Sequence, residues 1–140
     1  MIKENVDESL FISRFEDFKR VKKEGQNGNF TYKGLRALFE YLEEISTEEN
    51  PINLDVISLC CDFAEYEDID EYLNDYQNKE LKERWNKINK ALENAEKGEI
   101  NDLWIARDEF IEELENEIMT ETTLIKLDDD LDEGFIIQSY

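Results

Sequence analysis

The chain has 140 residues, of which 40% are hydrophobic. This length and apolar content predict one domain, residues 1–140, with a packed core. The 37 acidic and 16 basic side chains give a formal net charge of −21. Because the chain contains no histidine, serine–histidine and cysteine–histidine nucleophile systems are excluded, and the commonest transition-metal ligand is missing. No apolar run approaches the ~20 residues that span a bilayer, and residues 1–5 carry no signal-like stretch, so we expect a cytoplasmic protein.

The first half of the chain begins with two predicted amphipathic helices. The first spans about residues 9–23, has a phenylalanine-rich stripe, and can be capped by Asp7 or Ser9. A break rich in glycine and asparagine at 25–29 separates it from the second helix, about 32–46, which Thr31 can cap. Both helices present one apolar face, so they are expected to pack on a common core.

Residues 52–63 are predicted to form a strand, because Ile57, Leu59, Cys61 and Phe63 recur at every second position. The competing interpretation is a buried helix start at 52–59. A short third helix follows, for which Asp68 is the predicted cap.

The second half predicts a helical hairpin and a β-hairpin. Two long amphipathic helices occupy about 78–118, and their tryptophans, Trp85 and Trp104, are expected in the core, with a partner contact as the alternative. Two β-rich runs around an acidic loop, about 122–139, predict the β-hairpin. The fold class is therefore α+β: mostly helical, with a small antiparallel sheet (52–63 and 122–139) covered by helices.

The sequence offers little for catalysis or metal binding. Asp128, Asp130 and Asp132 stand at the first three ligand positions of a calcium loop, but Gly134 comes one residue late and Ser139 replaces the required glutamate. This pattern favours an ordinary acidic loop. No phosphate loop or metalloprotease helix is present, and only Asp55 and Asp62, which flank the core of the predicted strand, merit mention as catalytic acids. We expect no enzyme, no cofactor and no bound metal.

The negative charge lies in two runs. Residues 62–80 hold eight acids and one lysine, and residues 108–133 hold twelve acids and one lysine. A solvated, soluble surface is one interpretation. The other is a surface that binds a cationic partner or imitates nucleic acid, because such a charge density destabilises the folded state through self-repulsion.

Three segments carry a resemblance: FTYKGLRALFEYLEE (30–44), LDVISLCCDFAEY (54–66) and GFIIQ (134–138). In their order and spacing they resemble a group of small acidic proteins encoded by bacteriophages and prophages, over about residues 30–76 and 120–140. Against that group the helical hairpin, 78–118, looks like an insertion. The resemblance implies an inhibitor of host machinery, of the anti-CRISPR or anti-restriction kind, without catalytic residues.

The expected function is therefore inhibition of a host nuclease or other nucleic-acid-binding protein, whose basic channel the acidic face would occupy without contacting nucleic acid or membrane. The alternative is an adaptor that binds through apolar surface on the helical hairpin; a metal-dependent enzyme built from acids alone is the third possibility. The residues expected to bind the partner are Glu65, Glu67, Asp68, Asp70, Glu71, Asp75, Asp108, Glu109, Glu112 and Glu113.

Overall fold

The computed structural model describes residues 7–22, 28–46, 54–76 and 78–138. Within these ranges the chain forms six α-helices and three strands, which confirms the α+β class. In chain order the elements are α1 (Glu8–Asp17), α2 (Tyr32–Ile45), α3 (Val56–Asp62), β1 (Phe63–Tyr66), α4 (Ile69–Tyr76), α5 (Lys79–Glu93), α6 (Ile100–Glu121), β2 (Leu124–Lys126) and β3 (Phe135–Gln138), with a 3₁₀ turn at Leu131–Glu133.

Strand β3 is the centre of the molecule. It lies between β1 and β2 and pairs antiparallel with both, with Phe135 opposite Tyr66 and Ile137 opposite Leu124. Successive side chains of a strand point to opposite faces. Accordingly Ile136 joins the core that α1, α2 and α3 cover, while Phe135 and Ile137 join the core that α4, α5 and α6 cover. The sheet is thus the middle of three layers, which explains why the first three residues of this strand, Phe135, Ile136 and Ile137, are all apolar and buried.

The first helix is shorter than predicted. Asp7 caps it, accepting a hydrogen bond from the backbone N–H of Leu10 at 2.8 Å, but the helix ends at Asp17 rather than near residue 23. The chain then turns through a left-handed residue, Lys19, and Val21 forms a parallel bridge with Phe30. Both bridge residues are fully buried, so burial of Val21 outweighs continuation of the helix.

The predicted strand at 52–63 is wrong in its position. Residues 52 and 53 lie outside the described part, Val56–Asp62 is helix α3, and the strand begins only at Phe63. Asp55 caps α3, accepting from the backbone N–H of Ser58 at 3.1 Å. Only Val56 and Leu59 of this helix are buried, at helical spacing. The competing helix interpretation was therefore the closer one, and the β-hairpin pairs with a short strand instead.

Helices α5 and α6 form the predicted helical hairpin, and its two tryptophans lie in different environments. Trp85 is 1% exposed and stacks on Phe110, with ring centroids 5.3 Å apart. Trp104 is 47% exposed, so its expected place in the core is wrong. The hairpin shares its core with β3; its origin as an insertion stays a prediction.

Candidate partner-binding surface

The two helices of the hairpin differ in charge. Helix α6 carries eight acids and one arginine over its 22 residues, whereas α5 carries five basic residues and three acids. The negative charge is thus segregated and not spread evenly. Among the helices described, none has both the length and the apolar character that crossing a bilayer requires.

An acidic groove lies between α6 and the loop of residues 127–134. On the α6 side Asp108, Glu112 and Glu115 follow one another along the helix, about 6 Å and then about 4.5 Å apart along its axis. Asp129 and Asp130 of the loop face them across a space of about 290 Å³. These five acids are called the acidic groove below.

Arg107 holds the acidic loop against the acidic helix. Its side chain is 13% exposed and pairs with Asp132 at 2.9 Å and with Asp130 at 3.5 Å. Its guanidinium carbon also lies 5.3 Å from the ring centroid of Trp85 and 5.4 Å from that of Trp104. Such a cation between two aromatic faces is stabilised by the ring quadrupoles. The largely buried side chain of Arg107 therefore balances the repulsion that bringing these carboxylates together creates.

The same loop brings the two acidic runs together. Asp132 accepts a hydrogen bond from the backbone N–H of Ile69 at 3.0 Å, which ties the loop to the start of α4. Asp68 caps that helix, accepting from the backbone N–H of Glu71 at 2.8 Å. Burial raises the pKa of Asp132, and the charge of Asp68 adds to that rise. The two acidic runs, 62–80 and 108–133, consequently meet where the loop, at Asp132, contacts the start of α4.

Eight of the ten predicted binding residues are exposed, and six of these eight are available to a partner. Asp68, which is not among the eight, is half-buried and serves as a helix cap. The six are Glu67, Asp70, Glu71, Asp108, Glu109 and Glu112.

Two more predicted binding residues have partners within the chain. The hydroxyl of Tyr66 donates to Asp75 at 2.5 Å. Arg84 donates to both carboxylate oxygens of Glu113, at 3.3 and 2.9 Å, and this lowers the pKa of Glu113. Their carboxylates are therefore less available to an outside cation.

Glu65 is buried and is not a surface residue as predicted. It is 6% exposed, and its carboxylate accepts from the backbone N–H of Thr31 at 3.0 Å, at the start of α2. A side chain at position 34 would collide with this carboxylate, so Gly34 leaves the space that Glu65 occupies. Burial raises the pKa of Glu65, and its hydrogen bonds from Thr31 oppose that rise. Its role is to join β1 to α2.

The pH dependence of stability tests this placement. A carboxyl group whose pKa is higher in the folded state than in the unfolded state contributes stability. This contribution is complete below the unfolded-state pKa and is lost as pH rises through the folded-state pKa. Glutamine at position 65 keeps an acceptor for Thr31 but does not titrate. As pH rises above the ordinary pKa of 4.5, we therefore expect the stability of Glu65→Gln to fall less than that of the parent. Urea unfolding at several pH values between about 4.5 and 7 measures this. Exposed Glu112→Gln is the control; curves for Glu65→Gln and the parent that stay parallel would contradict the prediction.

The groove residues Glu115, Asp129 and Asp130 were not among the predicted binding residues. Acid density along the sequence did not distinguish Glu115 from its neighbours. In the sequence Asp129 and Asp130 belong to the acidic run 108–133, and Asp130 also stands at a calcium-loop position. The helical spacing of Asp108, Glu112 and Glu115 was the available signal for the first of the three.

The calcium-loop aspartates are used otherwise. Asp128 pairs with Lys33 at 2.9 Å, and Asp130 and Asp132 pair with Arg107. Across the described ranges no group of three or more histidine, cysteine or carboxylate side chains is arranged to hold a metal ion. Asp55 is an exposed helix cap and Asp62 is exposed at the other end of α3.

The resemblance to small acidic phage and prophage proteins rests on three segments. Residues 30–44 form most of α2, 54–66 form α3 and β1, and 134–138 form β3. Comparison of this chain with models of protein families, with curated proteins and with solved structures finds no match, so the resemblance stays a prediction.

Proposed function

We propose that this chain binds a nucleic-acid-binding protein of a bacterial host and blocks the basic channel that normally holds DNA or RNA. In this role it is a phage- or prophage-encoded inhibitor of a defence complex, of the anti-CRISPR or anti-restriction kind, and not an enzyme. Its place of action is the host cytoplasm. The observation that carries the proposal is the junction of the two acidic runs along α6, the loop and α4.

The charge spacing on α6 supports nucleic-acid mimicry. Residues 108–117 hold six acids, and ten helical residues span about 14 Å, so one acid occurs per ~2.3 Å. Double-stranded DNA carries one phosphate per ~1.7 Å of axis and a single strand one per ~3.4 Å. Glu115 is paired with Lys126 at 2.9 Å, and Glu113 with Arg84. The remaining acids approach the density of a single strand.

Solubility alone accounts poorly for this arrangement. A surface selected for solubility mixes charges of both signs, whereas here the neighbouring helices α5 and α6 have opposite excess charge. Arginine and lysine side chains that hold phosphates form charge-assisted hydrogen bonds with carboxylates equally well. A single-sign surface also accelerates association with a basic partner.

A tagged pull-down from lysate of a CRISPR- and restriction-proficient host tests the proposal. We expect capture of a nucleic-acid-binding protein that is released well below 1 M salt, where the Debye length falls to about 3 Å. Purified partner should then lose its nucleic acid when the chain is added, in proportion to the amount added. A partner that is retained at 1 M salt, or that keeps its nucleic acid, contradicts channel blocking.

A second candidate function has its own observation. Trp104 and Ile105, at the start of α6, are 47% and 56% exposed, and exposed tryptophan is typical of interface hot spots. An adaptor that binds through this apolar surface would lose its partner on Trp104→Ala, and its affinity would depend little on salt. The salt dependence of the captured complex separates the two functions.

A further inference from the structure

A cavity of about 390 Å³ lies at the base of the loop, apart from the acidic groove. Strand β1, the start of α2 and the two ends of the loop enclose it. Its volume falls within the ~300–1,000 Å³ typical of sites for small molecules. Its charged lining consists of Lys22, Lys33, Glu65, Glu67 and Glu133.

The inner wall of the cavity is a buried carboxylate held in place by the fold. Glu65 lines the cavity and is more than nine-tenths buried. The backbone N–H of Thr31 and the missing side chain of Gly34 fix its position over the start of α2. The positive end of a helix attracts an anion. At the start of α2 the carboxylate of Glu65 already occupies that position, so the helix end does not favour an anionic ligand.

The remaining charges favour a cation. Of the two lysines, Lys33 is paired with Asp128 at 2.9 Å, which leaves Lys22 against three glutamates. The nearby carboxylate of Asp128 raises the pKa of Glu133, so like charges repel one another at the rim. A positively charged group beside Glu133 would relieve this repulsion, and Glu67 lines the same cavity. The side chain of Leu127 adds an apolar contact.

We infer that this cavity binds an alkyl cation: a guanidinium or primary ammonium group on a short aliphatic stem. Glu67 and Glu133 pair with the cation, Glu65 supplies charge from the inner wall, and Leu127 contacts the stem. The inference goes beyond the proposed function, since an arginine or lysine side chain of a partner and a free diamine share this chemistry. The site is formed by the chain alone.

Agmatine, a guanidinium on a four-carbon stem with a terminal amine, is the first probe. We expect saturable shifts in the amide signals of Thr31, Gly34 and Gly134 when the full chain is titrated and followed by NMR. The double variant Glu67→Gln/Glu133→Gln should weaken agmatine at least tenfold. The matched control Glu109→Gln/Glu112→Gln removes the same charge from α6 and should weaken it less than twofold. Butan-1-ol, which has the stem without the cation, should bind at least tenfold more weakly.

The source of the cation is distinguished by a capped Gly-Arg-Gly tripeptide. Binding as tight as that of agmatine assigns the cavity to a partner's side chain, and at least tenfold weaker binding assigns it to a free amine. Equal weakening by the two double variants, shifts spread over α6, or a titration that does not saturate would each overturn the inference. Because no partner protein is present, this result is independent of the pull-down.

Discussion

Reversing three acids of the acidic groove, Asp108→Lys, Glu112→Lys and Asp129→Lys, is expected to weaken binding of the captured partner at least 100-fold. This corresponds to a loss of about 2.8 kcal/mol. All three side chains are exposed, so each reversal replaces attraction to a basic channel with repulsion and leaves the core intact. Biolayer interferometry at several salt concentrations measures the affinity for the partner. The slope of log affinity against log salt concentration should become less steep in the triple variant.

The matched control reverses three acids elsewhere. Glu40→Lys, Glu43→Lys and Glu44→Lys change the net charge equally on helix α2, and all three side chains are exposed. We expect less than a threefold loss of affinity. An equal loss in both triple variants would show that net charge, and not the groove, determines binding, and full affinity in both would falsify the mimicry proposal.

Replacing Trp85 by alanine is expected to lower the free energy of unfolding by about 3–5 kcal/mol. Folded domains are stable by only about 5–15 kcal/mol, so this is a large part of the total. The ring is buried, stacks on Phe110 and supports Arg107, which holds the loop. Trp104→Ala removes a half-exposed ring and should cost less than about 1 kcal/mol. Urea unfolding followed by circular dichroism measures both, and each variant keeps one tryptophan as a fluorescent reporter.

Trp85→Phe is the informative intermediate. The indole N–H of Trp85 is buried and has no hydrogen-bond partner among the described residues, and an unsatisfied buried donor costs about 1–3 kcal/mol. Removing it offsets part of the lost packing, so we expect Trp85→Phe to cost less than about 1.5 kcal/mol. If phenylalanine and alanine prove equally destabilising, the N–H contributes a bond and the packing argument is wrong.

Local signals in the sequence predicted helix α2 well and the junction of α3 and β1 badly. Helix α2 begins and ends within one residue of its predicted limits, because Thr31 caps it and its stripe has a single period. Residues 56–63 satisfy two periods at once: Leu59 and Phe63 recur at the spacing of both a helix and a strand. Which period applies depends on the layers that cover the sheet, and that is a property of the whole fold.

Only part of the candidate surface was predicted, and the reason is similar. Acid density identifies a charged surface, but it does not separate carboxylates that serve the fold from those that face solvent. Glu65, Asp75 and Glu113 serve the fold through Thr31, Tyr66 and Arg84, residues as far as 34 positions away in sequence. Had the strand been placed at 63–66, alternation would have put Glu65 on the buried side with Phe63.

The central position of β3 determines the order in which the molecule is completed on the ribosome. This strand is synthesised after the six helices of the described ranges, and each helical layer needs one of its faces. At about 5–20 residues per second, several seconds separate β1 from β3, and during that interval two half-built cores expose their apolar sides. The large negative charge keeps such nascent chains apart. We therefore expect both layers to close together, and a fragment that stops before Phe135 to lack a stable fold.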